Sequence, residues 1–165
     1  VSANMAKLIF AGTAIDGKHR AMELLSEIPV FGLTPSMNGG DALRYGFLTL
    51  AEGQQLHLYG VPEEIPEMMQ ETLTENALGM ILLLDNRAAD PLEDLRDYLA
   101  EFEDLIADTS LVIGIVNAEQ GRMSLSDYHQ VLSEYGYILP VFEIDATHDY
   151  DIRLMISALI HILDI

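Results

Sequence analysis

The residues whose types and spacing could do chemistry come early, at Gly12-Thr13-Ala14-Ile15-Asp16-Gly17-Lys18-His19. Gly-x4-Gly-Lys is the spacing of a loop that wraps phosphate oxygens. The framing glycines let backbone N–H groups turn inward, and the lysine adds positive charge at the loop's end. An apolar run, Leu8 to Ala11, precedes the loop, and an amphipathic one, Arg20 to Ile28, follows it. Strand, loop and helix therefore fall in the order that phosphate binding needs. The next position departs from the pattern. His19 stands where a Ser or Thr hydroxyl would hold Mg²⁺, and imidazole nitrogen is a poor ligand for a cation that prefers oxygen.

Other reactive side chains are more scattered. His19, His57, His129, His148 and His161 form no His-x-x-x-His or His/Asp pair at helical ligand spacing. His57 on a strand and His161 on an apolar helix read as packed core or interface histidines. Asp145, Asp149 and Asp151 gather near a strand end, and Asp90, Glu93, Asp94 and Asp97 share one helix. Without an Asp-x-Asp-x-Asp-Gly loop they read as N-caps and solvated faces, and no metal site is expected. Ser124, Ser126 and Ser133 lie near His129, but no Gly-x-Ser-x-Gly elbow supports a hydrolase triad.

The chain has 165 residues, half of them hydrophobic, which suits one domain with a sizeable core. Its 27 acidic residues outnumber 8 basic ones, for a formal charge of −19. Nucleic acid and anionic membranes need a positive field, so neither is expected as a partner. No apolar run approaches the roughly 18 residues of a spanning helix. The absence of cysteine excludes disulfides and thiolate metal sites and fits a cytoplasmic location. Residues 1–5, without a basic or long apolar region, do not read as a signal peptide. They fit an extraneous or disordered lead-in, with a single domain over residues 6–165.

The elements that must position the loop follow from periodicity. Lys7–Ala11 reads as a buried strand and Gly17–Ile28 as a helix stopped by Pro29. Residues 29–41, with two prolines and three glycines, read as a long loop. Leu43–Leu50 and Gln54–Tyr59 form a hairpin turned at Glu52-Gly53. Pro62–Asn76 reads as a helix, and Leu78–Leu84 as a central parallel strand covered on both faces. A helix runs from Asp90-Pro91 to about Ala107, a strand over Leu111–Val116, a helix over Ser124–Tyr135, a strand over Pro140–Ile144 and a last helix over Asp149–Leu163. The order β-α-β-β-α-β-α-β-α-β-α specifies a three-layer α/β fold. Its sheet has six strands, mostly parallel, with one antiparallel edge strand and helices on both faces. On the last helix Leu154, Ala158, Ile162 and Ile165 fall off the core stripe, which suggests a homodimer contact.

This order, with Tyr45-Gly46, Leu56-His57-Leu58-Tyr59-Gly60-Val61-Pro62 and Leu78-Gly79-Met80-Ile81-Leu82-Leu83-Leu84-Asp85, resembles a prokaryotic branch of the small Ras-like GTPases. The resemblance covers about residues 6–163 and implies a P-loop G domain. It is specific along the strands and weak at each chemical motif. In the phosphate loop Gly12, Gly17 and Lys18 match. Ile15 replaces a glycine of the family, and a β-branched side chain resists positive φ. Asp16 adds a carboxylate beside a polyphosphate site, where like charges repel. With the loops folded as in the family, His19, Asp16 and Glu63 could form a salt-bridge cluster that fills the place of the metal. The first-switch Thr falls at Gly39 or Gly40, which have no side chain, while Thr34 and Ser36 are out of register. In the second switch, Gly60-Val61-Pro62-Glu63-Glu64, Glu63 replaces the glycine that meets the γ-phosphate and Glu64 the water-orienting Gln. In the base-reading motif Asn117 remains, Ala118 replaces a Lys, and neutral Gln120 replaces the Asp that accepts guanine N–H groups. The last motif survives in part, as Asp145-Ala146-Thr147.

Anion cradle, metal ligand and water positioner are needed together, and here all depart together. The resemblance therefore implies a degenerate member, a pseudo-GTPase for which neither GTP nor Mg²⁺ is expected. It would act as a regulatory or scaffolding module through a protein partner, in this branch often a Roadblock-type regulator. Ile65, Met68 and Met69 are the partner-binding candidates, since methionine suits adaptable surfaces. The alternative is a nucleotide-binding protein with weak or altered hydrolysis. A third class, a structural subunit, would form a constitutive oligomer.

Overall fold

The structure, a computed structural model, describes residues 6–34, 41–50 and 53–163. In chain order the elements are β1 (Ala6–Ala11), α1 (Ile15–Leu25), β2 (Phe31–Gly32), β3 (Arg44–Thr49), β4 (Gln55–Gly60), α2 (Glu67–Thr74) and β5 (Ala77–Asp85). They continue with α3 (Pro91–Glu101), α4 (Glu103–Asp108), β6 (Ser110–Val116), α5 (Leu125–Glu134), β7 (Val141–Ile144) and α6 (Asp149–Leu163). The strands form one mixed sheet in the order β2-β3-β4-β1-β5-β6-β7. From β4 to β7 every pairing is parallel, and β3 runs antiparallel to both of its neighbours.

Strand alternation divides the core into two layers. Residues 80 to 84 of β5 are all buried, yet Met80, Leu82 and Leu84 join one cluster while Ile81 and Leu83 join the other. Ile9 and Ala11 of β1 follow the first set, and Leu8 and Phe10 the second. The first layer is closed by Leu73 of α2, Leu95 and Leu99 of α3, Ile106 of α4 and Tyr128 and Val131 of α5. The second is closed by Ala21 and Met22 of α1 and by Ile152, Met155 and Leu159 of α6. A strand covered on both faces must be apolar at every position, which is why β5 reads as a continuous run. Among the described residues no helix is long and apolar enough to cross a membrane.

Four expectations need correction. The sheet has seven strands rather than six, because Phe31–Gly32 inside the expected loop pairs with Tyr45 and Arg44. Leu33 N extends that pairing to Leu43 O at 2.7 Å. Two residues are too few to show a period of two, so the sequence carries no strand signal there. Consequently β3 is not the edge of the sheet. The helix expected from Pro62 begins at Glu67, after extended backbone at Pro66 with φ −57° and ψ 142°. The helix expected over 91–107 breaks at Phe102, with φ −106° and ψ 24°. The Phe102 ring there stacks on Tyr98 at 6.3 Å inside the core. The expected first-switch positions Gly39 and Gly40, residues 1–5, Glu52 and Ile165 lie outside the described residues.

One half of the sheet is covered unequally. α1 packs across β3 and β4 on one face, whereas α2 packs chiefly on β1. The other face of β2, β3 and β4 carries an aromatic ladder. Phe31 and Tyr45 rings lie 5.5 Å apart, Tyr45 and Tyr59 5.3 Å, and Phe47 and His57 5.6 Å. The Tyr45 hydroxyl is 2.6 Å from His57 Nδ1, and burial of His57 holds its imidazole below the usual histidine range.

Candidate functional site

β1 ends at Ala11, and the chain turns at Gly12 with φ +119°. A Cβ at Gly12 would stand 1.9 Å from the Leu83 carbonyl oxygen, so no other residue fits this close approach to β5. Two bonds staple the loop to the same strand. Ala14 N donates to Leu83 O at 3.1 Å, and Asp85 N donates to Thr13 Oγ1 at 3.1 Å. α1 then begins at Ile15, one half-turn earlier than the expected Gly17. Ile15 N donates to Thr13 O at 3.0 Å and Lys18 N to Ala14 O at 3.0 Å. Three amides of the loop and first turn thus already have carbonyl partners. Asp16 lies in that first turn, where its carboxylate complements the positive end of the helix.

Lys18 is the centre of the arrangement. Its side chain is 4% exposed, and its ammonium is paired with Asp41, whose side chain is 9% exposed. The Lys18 ammonium also donates to Val61 O at 3.0 Å. Burial holds Lys18 below its usual lysine range, and the Asp41 carboxylate opposes that shift. Asp41 Oδ1 accepts from Ala42 N at 3.0 Å and lies 3.8 Å from Arg44 Nε. A carboxylate of the chain itself therefore meets the ammonium that the loop pattern reserves for phosphate.

The cluster expected of His19, Asp16 and Glu63 does not form. His19 Nε2 instead reaches Glu23 Oε1 at 2.5 Å, one turn along α1. The helix brings residues i and i+4 together, and that local pairing wins over contact with a separate loop. Asp16, Glu63 and Glu64 are exposed. His161 is exposed too, so of the two expected places, packed core or interface, it does not take the core one.

The remaining candidates gather around two cavities. One, of about 730 Å³, lies between the loop and residues 62–66, lined among others by Gly12, Ile15, Lys18, Glu63, Glu64 and Met69. Gly60 is buried at the end of β4, Ile65 and Met69 pack against the core, and Met68 is 79% exposed. The other cavity, of about 520 Å³, gathers Asn117, Ala118, Gln120 and Asp145, with Glu119, Glu143 and Asp151 on its walls. Asn117 takes positive φ, +56°, and its Nδ2 donates to Asp85 Oδ1 at 3.0 Å. Ala118 packs against the core and its carbonyl accepts from Asn86 Nδ2 at 3.0 Å. Gln120 is exposed, and Ala146 is half-buried. Asp145 accepts from Thr147 N at 2.9 Å and Thr147 Oγ1 at 2.6 Å, which hold its carboxyl below the usual range. Among the described residues no group of three or more His, Asp or Glu side chains converges as a metal site.

Sequence reasoning missed Asp41 and the buried pair Asn86–Tyr128. The Tyr128 hydroxyl donates to Asn86 Oδ1 at 2.5 Å, and Asn86 Nδ2 also donates to Met123 O at 2.8 Å, fixing the loop beside the second cavity. Asp41 left one signal: it is the only acidic residue between Glu27 and Glu52.

No protein-family model matches the chain, and a search among curated proteins finds no match.

Proposed function

We propose that this chain is a Ras-like domain with a degenerate nucleotide site, acting as a regulatory or scaffolding module for a protein partner. The observation that carries the reading is the buried Lys18–Asp41 pair. Charge neutralisation within the chain removes the attraction that would hold a polyphosphate, and an incoming anion would have to expel Asp41. The internal bonds of Ala14, Ile15 and Lys18 amides reduce the anion cradle further. Glu63 and Glu64 add negative charge at the cavity where a γ-phosphate would sit. The partner-facing side implied by the resemblance carries Met68 at 79% exposure, Phe31 at 47% and the ladder of Tyr45, Phe47, His57 and Tyr59. A Roadblock-type regulator is the partner class that the resemblance suggests for it.

The second reading, nucleotide binding with weak or altered hydrolysis, is favoured by Gly17. A Cβ there would meet only ordinary contacts, the nearest at 3.6 Å, so packing does not explain a glycine in the helix. Calorimetric and thermal-shift titration with GTP, GDP, ATP and ADP, with and without Mg²⁺, separates the two. The first reading expects no nucleotide-dependent rise in melting temperature. A rise that Lys18→Ala abolishes, together with measurable GTP turnover, overturns it.

A further inference from the structure

The inner face of α6 carries Ile152, Met155, Ile156 and Leu159, all buried in the core. Its outer face is apolar as well. Tyr150 is 74% exposed, Leu154 49% and Ile162 48%, with half-buried Ala158 between the last two. At four-residue spacing these side chains form one row along the helix. A helix that meets only water would carry polar groups there.

We propose that this outer face of α6 is a homodimer interface, in which the helices of two copies pair antiparallel about a two-fold axis at Ala158. The row reads bulky, small, bulky in either direction. An antiparallel copy sets Leu154 against the partner's Ile162 and Ala158 against the partner's Ala158, where two small residues let the helices approach. That is the self-complementarity that an isologous contact demands.

Charge selects a second copy over other occupants. A molecule of formal charge −19 repels its own copy across most of its surface. Between Asp151 and Asp164, however, twelve consecutive residues include no acid, and the ionisable groups there are Arg153 and His161. The acids at the start of the helix are held to their own chain. Asp149 accepts from Arg20 at 2.7 Å and Asp151 from Asp145 N at 3.0 Å. A basic partner would be drawn to carboxylates, and residues 152–163 of the helix carry none. A helix of 15 residues spans roughly 22 Å, so one helix pair buries less than the ~800 Å² per partner of a standard interface. The dimer is therefore weak and concentration-dependent. Salt tightens it by screening the repulsion between the two acidic bodies.

Sedimentation velocity on the full chain, from low micromolar to several hundred micromolar at low and high salt, tests this. The expected result is a reversible monomer–dimer equilibrium that tightens with salt. Leu154→Glu and the uncharged Leu154→Ser each weaken it by about tenfold or more. Since the chain has no cysteine, Ala158→Cys gives a second readout, a disulfide-linked dimer that forms faster than for Gln130→Cys on the exposed side of α5. A chain that stays monomeric throughout overturns the proposal, whatever other protein it binds. So does a dimer indifferent to both Leu154 variants, or equal cross-linking of the two cysteine variants. None of these outcomes bears on the reading of the nucleotide site.

Discussion

Replacing Asp41 with alanine leaves the buried Lys18 ammonium with one remaining hydrogen bond, to the Val61 carbonyl at 3.0 Å. The two side chains are 4% and 9% exposed. Removing one partner of a buried pair costs about 3–5 kcal/mol, because the other charge stays desolvated. The Val61 bond and the nearby Glu63 carboxylate place the expected loss near the lower end, about 3 kcal/mol. In a chain of this size each kcal/mol lowers the melting temperature by roughly 2–4 °C, so the expected drop is about 6–12 °C. The loss has a pH signature. Burial holds Lys18 below 10.5 and Asp41 is the main opposing influence, so the variant lowers it further. Between that lowered value and 10.5 the unfolded chain binds a proton that the folded chain has shed, and stability rises with pH. The deficit against wild type is therefore full below that lowered value and narrows as pH rises toward 10.5.

Urea unfolding followed by circular dichroism measures both effects. Lys18→Met with Asp41→Leu should recover most of the loss, since an apolar pair of similar volume needs no desolvation. Lys18→Met alone completes the double-mutant cycle. Pyrophosphate or GDP should raise the melting temperature of Asp41→Ala and leave wild type unmoved, because only the variant has an unpaired ammonium. An Asp41→Ala protein as stable as wild type, or a wild type that GDP stabilises equally, refutes the reasoning.

Two glycines make opposite predictions. Gly12→Ala places a Cβ 1.9 Å from Leu83 O at φ +119°, so the variant should express poorly or lose about 3 kcal/mol or more in urea unfolding. Gly17→Ala meets nothing closer than 3.6 Å in a helix, and should stabilise by about 0.5–1 kcal/mol in the same assay.

The sheet was legible because its central strands need apolar residues on both faces, and runs such as Met80–Leu84 and Leu111–Val116 have few other uses. The helices were legible in type and less so in extent. Pro62 and Pro66 both satisfy a start signal, and the helix follows the second, starting at Glu67. Phe102 fits a continuing apolar stripe and stays in the core, yet its backbone leaves the helix there, with φ −106° and ψ 24°. Of the candidate positions, Gly12, Lys18, Glu63 and Glu64 line one cavity and Asn117, Ala118, Gln120 and Asp145 another. What fills the loop was not legible. Asp41 reaches Lys18 across 23 residues of sequence, and no local period encodes such a contact. His19 was misassigned for the opposite reason, since a local partner, Glu23, outcompeted the distant ones.

The three residues that keep the phosphate-loop pattern carry unequal weight. Gly12 is required by the Leu83 carbonyl whatever the loop binds. Lys18 is required by Asp41 and Val61 O, since its loss would strand a carboxylate that is itself nearly buried. Neither residue therefore argues for a bound anion. Gly17 alone has no such duty, and even in the first turn of α1 glycine costs backbone entropy without one. The case for a surviving anion function thus reduces to Gly17 and the amides beside it. If Gly17→Ala stabilises the chain as its surroundings dictate while Asp41→Ala gains affinity for pyrophosphate, the loop retains the geometry of an anion site. Asp41 then keeps that site shut against an anion, while the departures at His19, Glu63 and Glu64 remain.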